Sequence, residues 1–522
     1  MSLAHDFLFP AHVRSGVYLV GCGPGDVGLL TIRALQIISA ADHLIYDYLV
    51  NPEILSFAKP NAHIIYAGKQ SSRHTLTQDQ IHNLLLQAYC PGRIVARLKG
   101  GDPFLFGRGA EEAEVLTNAN IPFEIIPGVT SAIGVPAYAG IPVTHREYAS
   151  SVTILTGHED PTKPEPTIQW DALAALHGTK VILMGVEHLR AITAALTKNG
   201  ADPKTPIALI RWGTLPRQQT LTGTLENITD LAEAVGFKPP AVCVIGPVVH
   251  LRAKMNWYEN KPLFGKRIVV TRTRAQASAL SAQLRSLGAQ ILEIPTIRTE
   301  PSELSSAQKS QIHKLSDHYD WLVFTSPNAV VYFFQHFFQQ HSDIRALGSL
   351  SIAVVGPGTA EALKTYHLSP SLMPSQYTTE SLARALINSL PSKAKILVPR
   401  SNLATETLAK LLREAAFSVE EWQVYYTRPE TQIPEWVIKD YESHGADCIT
   451  FTSSSTVQHW FKLKLKAPPD SRPLLASIGP ITSATLYEFG CKPDIEASPH
   501  TIPALVEAIV AILSRHSKVN LG

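Results

Sequence analysis

Three glycine-rich turns are the places in this chain where the backbone itself could hold a ligand. Gly21-Cys-Gly-Pro-Gly-Asp comes directly after the apolar run 17–21 and opens a helical pattern. Leu98-Lys-Gly-Gly-Asp-Pro-Phe-Leu-Phe-Gly-Arg-Gly follows the run 93–98, and Pro127-Gly-Val-Thr-Ser-Ala opens a third helix. Glycine lets the chain turn sharply and lets a ligand approach the backbone, and amides at a helix start favour anionic or polar groups. Two familiar ligand classes fit poorly. A dinucleotide fingerprint, with Asp47 as the ribose acid, needs glycine where Asp26 stands, and Pro24 removes a donor. A P-loop needs a following Gly-Lys-Ser/Thr, which is missing. No Cys-x-x-Cys or His-Glu-x-x-His spacing supports a metal site.

Such turns need elements to hold them. Apolar strands at 17–21, 43–47, 63–67 and 93–98 alternate with helical patterns at 29–41, 80–89 and 110–119. That alternation predicts an α/β fold with a largely parallel sheet. The proline- and charge-rich stretch 158–167 reads as a loop between two lobes, about 16–157 and 168–250, the second with strands at 181–184, 207–210 and 241–245. Residues 1–15 read as an N-terminal extension, and 251–264, without clear periodicity, as a linker. The remainder, 265–522, contains an internal duplication. Asp320-Trp-Leu-Val-Phe-Thr-Ser-Pro-Asn-Ala-Val is similar to Asp447-Cys-Ile-Thr-Phe-Thr-Ser-Ser-Ser-Thr-Val, and Val355-Gly-Pro-Gly-Thr-Ala to Ile478-Gly-Pro-Ile-Thr-Ser-Ala. The matches keep their order at a spacing suited to a duplicated α/β domain, which implies two lobes with a cleft.

The 522 residues are 45% hydrophobic and 17% charged with a net charge of +2. That allows several domains with their own cores, and no global field points to nucleic acid or a membrane surface. No apolar run approaches the roughly 18 residues of a membrane span. The first residues lack the basic start and apolar core of a secretory signal. Five scattered cysteines fit reduced thiols, and a cytoplasmic protein is expected.

Taken together, the three turns with Gly140-Ile-Pro-Val-Thr-His-Arg, Thr156-Gly-His, Leu183-Met-Gly and Trp212-Gly-Thr resemble the uroporphyrinogen-III C-methyltransferases of the tetrapyrrole methylase family, over nearly all of the first half. The resemblance implies a two-lobed α/β fold that binds S-adenosylmethionine, with S-adenosylhomocysteine as product, between its lobes. Pro24, Gly100, Gly101, Asp102, Leu105, Thr130, Ser131, Met184 and Gly213 match the cofactor positions, Asp102 accepting hydrogen bonds from a polar end of the ligand. Asp47 matches a proton acceptor and Lys69 a proton donor; their plainer readings are a strand-end cap and a partner for a substrate carboxylate. The substrate, uroporphyrinogen III, carries eight carboxylates, so Arg108, His145 and Arg146, with Arg73 and His74, are candidate partners. Cys22 reads as a small packing residue rather than a nucleophile. A homodimer formed through this half is the expected assembly.

From about Lys266 to Arg515 the chain resembles uroporphyrinogen-III synthases, through Thr271-Arg, Phe324-Thr-Ser-Pro-Asn-Ala-Val, Val424-Tyr-Tyr-Thr, Phe451-Thr-Ser and Ile478-Gly-Pro-Ile-Thr. The implied fold has two α/β lobes, about 265–298 with 428–522, and 305–422, joined by extended strands. The implied reaction closes linear hydroxymethylbilane with inversion of its last ring. Thr325, Ser326, Thr452, Ser453, Ser454 and Thr482 are candidates to hold carboxylates, or else only helix caps. Tyr425 matches a tyrosine that aids departure of the hydroxyl, and Arg272, Arg274 and Arg400 are further carboxylate partners. Together the halves imply a bifunctional enzyme that supplies precorrin-2 to siroheme or cobalamin synthesis. The alternatives are a methyltransferase whose second half binds a tetrapyrrole without turnover, and a nicotinamide-dependent oxidoreductase built on the first turn.

Overall fold

Short aliphatic runs bounded by polar turns become four five-stranded sheets in the computed structural model, which describes residues 13–68, 76–157, 168–272, 274–391 and 393–517. Two units divide the chain. One runs to Lys266 and includes Arg285–Gln290; the other holds Arg267–Leu284 and Ile291 onward.

The first sheet contains β1 (Gly16–Gly21), β2 (His43–Tyr46), β3 (His63–Tyr66), β4 (Ile94–Lys99) and β5 (Phe123–Ile126), in the order β3-β2-β4-β1-β5. Every pairing is parallel. The chain leaves β1 toward β2 and leaves β4 toward β5, in opposite directions, so a crevice opens between β1 and β4 at their carboxyl ends. All three glycine turns lie at that edge.

The second sheet contains β6 (Val152–Thr156), β7 (Thr179–Leu183), β8 (Pro206–Arg211), β9 (Gln219–Thr224) and β10 (Ala241–Ile245), in the order β6-β7-β10-β8-β9. Here the expectation of a largely parallel sheet is corrected. Only β6 and β7 are parallel, and the other neighbours are antiparallel. The connection 212–218 between β8 and β9 is too short for a parallel crossover.

The segment 251–264 is not a tether. Tyr258 and Leu263 are buried. Arg252 pairs with Glu259 and donates from Nη1 to Ala139 O (2.7 Å), and Trp257 Nε1 donates to Ala137 O (3.0 Å). The Tyr258 ring meets Tyr138 edge-on at 4.7 Å. Apolar area and buried hydrogen bonds make this segment part of the first unit.

The described residues of the second unit form ten further strands in two sheets. The strands are β11 (Arg267–Val270), β12 (Gln290–Glu293), β13 (Ile297–Pro301), β14 (Trp321–Phe324), β15 (Ser351–Val354), β16 (Lys395–Ser401), β17 (Ser418–Pro429), β18 (Cys448–Phe451), β19 (Leu474–Ser477) and β20 (Ile495–Glu496). One sheet has the order β12-β11-β18-β19-β20 and the other β13-β17-β16-β14-β15. The duplicated sequences occupy equivalent places, β14 and β15 beside β16 in one sheet, β18 and β19 beside β11 in the other, all parallel. β13 and β17 pair antiparallel, Thr299 opposite Thr427, where the chain passes between the lobes. No helix of the described residues is long and apolar enough to cross a membrane, and no group of three potential metal ligands occurs among them.

Tyr258→Ala tests the packing of 251–264. Removing this buried ring costs the first unit about 3–5 kcal/mol, read from its calorimetric melting transition in the full chain, whereas a tether residue would cost under about 0.5 kcal/mol.

Candidate active site

Three backbones meet at the carboxyl edge of the first sheet more closely than side chains permit. Gly23 and Gly101 exchange hydrogen bonds, N–H to O, at 3.2 and 2.7 Å. A Cβ on Gly128 would come within 2.2 Å of Gly101 O, and one on Gly21 within 2.8 Å of the same carbonyl. Asp102 ties the third turn to the second: its Oδ2 accepts from Gly128 N–H (3.0 Å) and its Oδ1 from Phe104 N–H (2.8 Å). The first turn is fastened to the other lobe. Asp26 N–H donates to Thr214 Oγ1 (3.0 Å), and Tyr138 donates to Asp26 Oδ2 (2.8 Å). Tyr258 donates to Thr214 O (3.0 Å), and Gln218 joins Thr214 N–H to Glu259. Burial and the Asp26 charge push the Tyr138 phenol far up, so it stays a donor.

Beside these turns lies a cavity of about 750 Å³. Of the expected cofactor residues, Pro24, Gly100, Gly101, Leu105, Ser131, Met184 and Gly213 line it. Asp102 and Thr130 are not in the wall. Asp102 holds the loops as described, and Thr130 caps the helix Ser131–Tyr138, accepting from Ala132 N–H (3.3 Å). Val135, Leu183, Ile210 and Val242 make an apolar wall, while Trp212, with Arg217 stacked over its ring at 3.9 Å, faces Tyr48 edge-on at 5.9 Å. Four lining residues that are not glycine hold left-handed backbone: Phe106, Arg108, Met184 and Trp212. Such conformations cost about 1–3 kcal/mol each and cluster at functional sites.

Asp47 lines the cavity from the end of β2, its Oδ1 accepting from Leu49 N–H (3.1 Å). Arg97 and Lys99 of β4 line it too, and sequence reasoning missed both. They occupy alternate positions of a strand covered on both faces, where a cation needs a partner, and that was the available signal. Lys69, Arg73 and His74 lie outside the described residues. Arg108 reaches the cavity and pairs with Glu111 at 2.6 Å. His145 and Arg146 are not brought to the wall: His145 takes part in a turn with Ala149, and Arg146 is exposed. Cys22 is 1% exposed, and burial, with the Asp47 charge adding, pushes its thiol up to about 12, which makes it a packing group.

In the second unit the hydroxyl pairs stand at helix starts in both lobes. Ser326 caps the helix Pro327–Gln340 and Ser453 caps Ser454–Leu463, each accepting from the amide three residues on. Tyr425, on β17 and nearly buried, stacks on Tyr332 at 5.2 Å, and its hydroxyl lies 3.1 Å from Ser326 Oγ. Thr325 and Thr452 directly follow their strands, beside these caps. Thr482 is buried in the helix Pro480–Glu488, and Arg400 is engaged by Glu421 and Ala404 O rather than free for a substrate. Arg272 is partly buried, and that burial holds its guanidinium below the usual range. The side chain of Arg274 lies outside those described.

Two family descriptions match the chain: Tetrapyrrole (Corrin/Porphyrin) Methylases over residues 16–229, and Uroporphyrinogen-III synthase HemD over 278–507. Relatives run through both parts. The porphyrin biosynthesis protein HemD of Ruminiclostridium josui is 34% identical over 496 residues, 95% of this chain and 98% of that one. A uroporphyrinogen-III C-methyltransferase of Bacillus subtilis (strain 168) is 40% identical over 475 residues, 91% and 93%. The chain belongs to the tetrapyrrole methylases fused to a uroporphyrinogen-III synthase domain. Over the methylase part, the S-adenosyl-L-methionine-dependent uroporphyrinogen III methyltransferase of Methanosarcina barkeri (strain Fusaro / DSM 804) is 53% identical across 235 residues, 45% of this chain and 92% of that one. Membership of the methylases removes the nicotinamide alternative, whose fingerprint the first turn already lacked. The fused protein is thus a tetrapyrrole-biosynthesis protein with methyltransferase and synthase parts.

Two outcomes check this geometry. Gly128→Ala lowers the stability of the methylase part by more than about 3 kcal/mol in urea unfolding, because backbone cannot yield as a side chain would. Alkylation of the folded chain with iodoacetamide at about pH 8, read by mass spectrometry, labels exposed Cys90 and spares buried Cys22, Cys243 and Cys448.

Proposed function

We propose that the second unit closes hydroxymethylbilane to uroporphyrinogen III with inversion of the last ring, and that the first unit methylates that product twice to give precorrin-2. The reading is carried by one observation: Pro24, Gly100, Gly101, Leu105, Ser131, Met184 and Gly213, distant in sequence, share one cavity in a chain with relatives of the same two-part build.

The cavity suits S-adenosylmethionine in its chemistry. Glycine backbones offer amides and carbonyls at close range to the polar ends of the ligand, and the apolar wall of Leu105, Val135 and Ile210 suits its flat ring. When bound, it supplies an activated methyl group, so the protein chiefly aligns the acceptor carbon. Met184 and Trp212 enclose the site from the second lobe. Asp47 takes the proton that the ring loses after methylation, and Arg108 and Arg217 meet substrate carboxylates at the mouth. Lys69 is retained as a proton donor on its sequence match alone.

In the second unit, Tyr425 assists departure of the terminal hydroxyl. Burial raises its phenol pKa, so it carries its proton throughout the neutral range. The amides and hydroxyls at Thr325, Ser326, Thr452 and Ser453 hold acetate and propionate groups at helix starts.

Full-length chain given hydroxymethylbilane and methyl-labelled S-adenosylmethionine is expected to form a doubly labelled tetrapyrrole. Absence of label ends the methyltransferase reading, and release of the type I isomer alone ends the synthase reading. Asp47→Asn lowers methyl transfer about 100-fold or more with S-adenosylhomocysteine affinity within about threefold, the signature of a lost base rather than a lost fold. Tyr425→Phe slows ring closure about tenfold and leaves methyl transfer to supplied uroporphyrinogen III unchanged.

A further inference from the structure

Arg97 and Lys99 sit two residues apart on β4, so both project to one face of the first sheet. Their side chains are 3% and 6% exposed. Glu112, from the helix Gly109–Asn118, is fully buried against that face, and its Oε1 accepts from Arg97 Nε (3.2 Å) and Lys99 Nζ (2.9 Å). Among the described residues its Oε2 has no partner. The fourth charge is Asp47, whose Oδ2 lies 3.4 Å from Arg97 Nη2. Arg97 is itself aimed by a bond from Nη1 to Leu98 O (2.9 Å). Charge therefore alternates along Lys99, Glu112, Arg97 and Asp47, and three of the four face the cavity.

A sheet core packed for stability alone has no use for four ions, because apolar residues of similar volume do as well or better. These ions lie beside Asp47, the carboxylate proposed above as proton acceptor. We infer that Arg97 is a positioning residue for Asp47, fixing Oδ2 at the cavity wall through Nη2, and that Glu112 and Lys99 set how firmly Arg97 does so. The inference rests on the reading of Asp47 as proton acceptor in methyl transfer. Other titratable groups facing Asp47 are Cys22 after β1, Tyr66 of β3 and the adjacent Tyr48. The Cys22 thiol and the Tyr66 phenol are raised by burial, with Asp47 adding, so both are neutral near pH 7. Burial, with Arg97 adding, holds the Lys99 ammonium below its usual range. Lys69, Arg73 and His74 lie outside the described residues.

Charge balance gives the test its sign. By formal charge the four side chains are two cations and two anions. Arg97→Met leaves one cation and two anions, which favours the protonated acid, so the acid limb of the kcat–pH profile moves up by about one unit. Glu112→Gln leaves two cations and one anion, which favours the carboxylate, so the limb moves down. The double variant restores one of each, and its limb returns to within about 0.3 unit of the native one. The assay uses the full chain, supplied uroporphyrinogen III and labelled S-adenosylmethionine, with S-adenosylhomocysteine affinity as the check on folding.

Opposite shifts with restoration in the double variant support the inference, and a merely structural cluster would not produce them. Shifts of one sign, or none in either single variant with affinity retained, overturn it. Should Arg97→Met fail to fold, Arg97→Lys and Glu112→Gln decide: the first is expected to keep the limb but lower kcat, the second to move the limb down, and any other pair of results overturns the inference. Asp47→Asn separates the two levels. Native-rate transfer by that variant ends the proton-acceptor reading itself. Lost transfer, combined with limbs unmoved in the other variants, ends only the role of Arg97.

Discussion

The first unit depends on a contact between backbones. Gly21, Gly101 and Gly128 come from three separate strand ends, and where they meet no Cβ fits on Gly21 or Gly128. Because the loops touch through peptide groups, their spacing is set by backbone van der Waals contact and hydrogen bonds rather than by side-chain packing, which would tolerate rearrangement. The Asp102 carboxylate then locks the second turn to the third. Pro24, directly after Gly23 in the first turn, and Ser131, just beyond Gly128 in the third, face the cavity from this knot.

Around that rigid centre, polar groups divide into those that build and those that face the ligand. Asp26, Tyr138, Thr214, Gln218 and Tyr258 satisfy one another and fix one lobe to the other. Asp47, Arg97 and Lys99 face the cavity. The synthase part follows a looser design. It repeats one strand-helix unit in two sheets and presents a serine-capped helix start from each, Ser326 and Ser453.

The fold class was legible because strand and helix periodicities alternate cleanly, as at 17–21, 43–47 and 93–98. Strand direction in the second sheet was not, since antiparallel and parallel strands share one composition when both faces are covered; the short connection before β9 carried that information. β9 itself, Gln219–Thr224, is half-exposed and rich in threonine, with no apolar run to mark it. The segment 251–264 lacked periodicity and so read as a linker, although Tyr258 and Leu263 are residues that seek burial and find it here. At the site, glycine turns were readable as turns, but which carboxylate faces inward was not. Asp102 and Asp47 both follow strands, and only the backbone geometry makes one a staple and the other a wall residue. Glu112 stands beside Glu111 in the sequence, and the pair reads as a solvated helix face until the neighbouring strand supplies two cations.

Phe106, Arg108, Met184 and Trp212 hold φ values of 54°, 56°, 55° and 50°. L-residues resist this conformation and glycine does not. Selection for robustness alone would drift these four positions toward glycine. Each carries a large side chain that lines the cavity instead, so backbone ease and cavity shape pull in opposite directions at these positions. Glycine at any of the four would relieve the backbone and take a side chain out of the cavity wall in the same step.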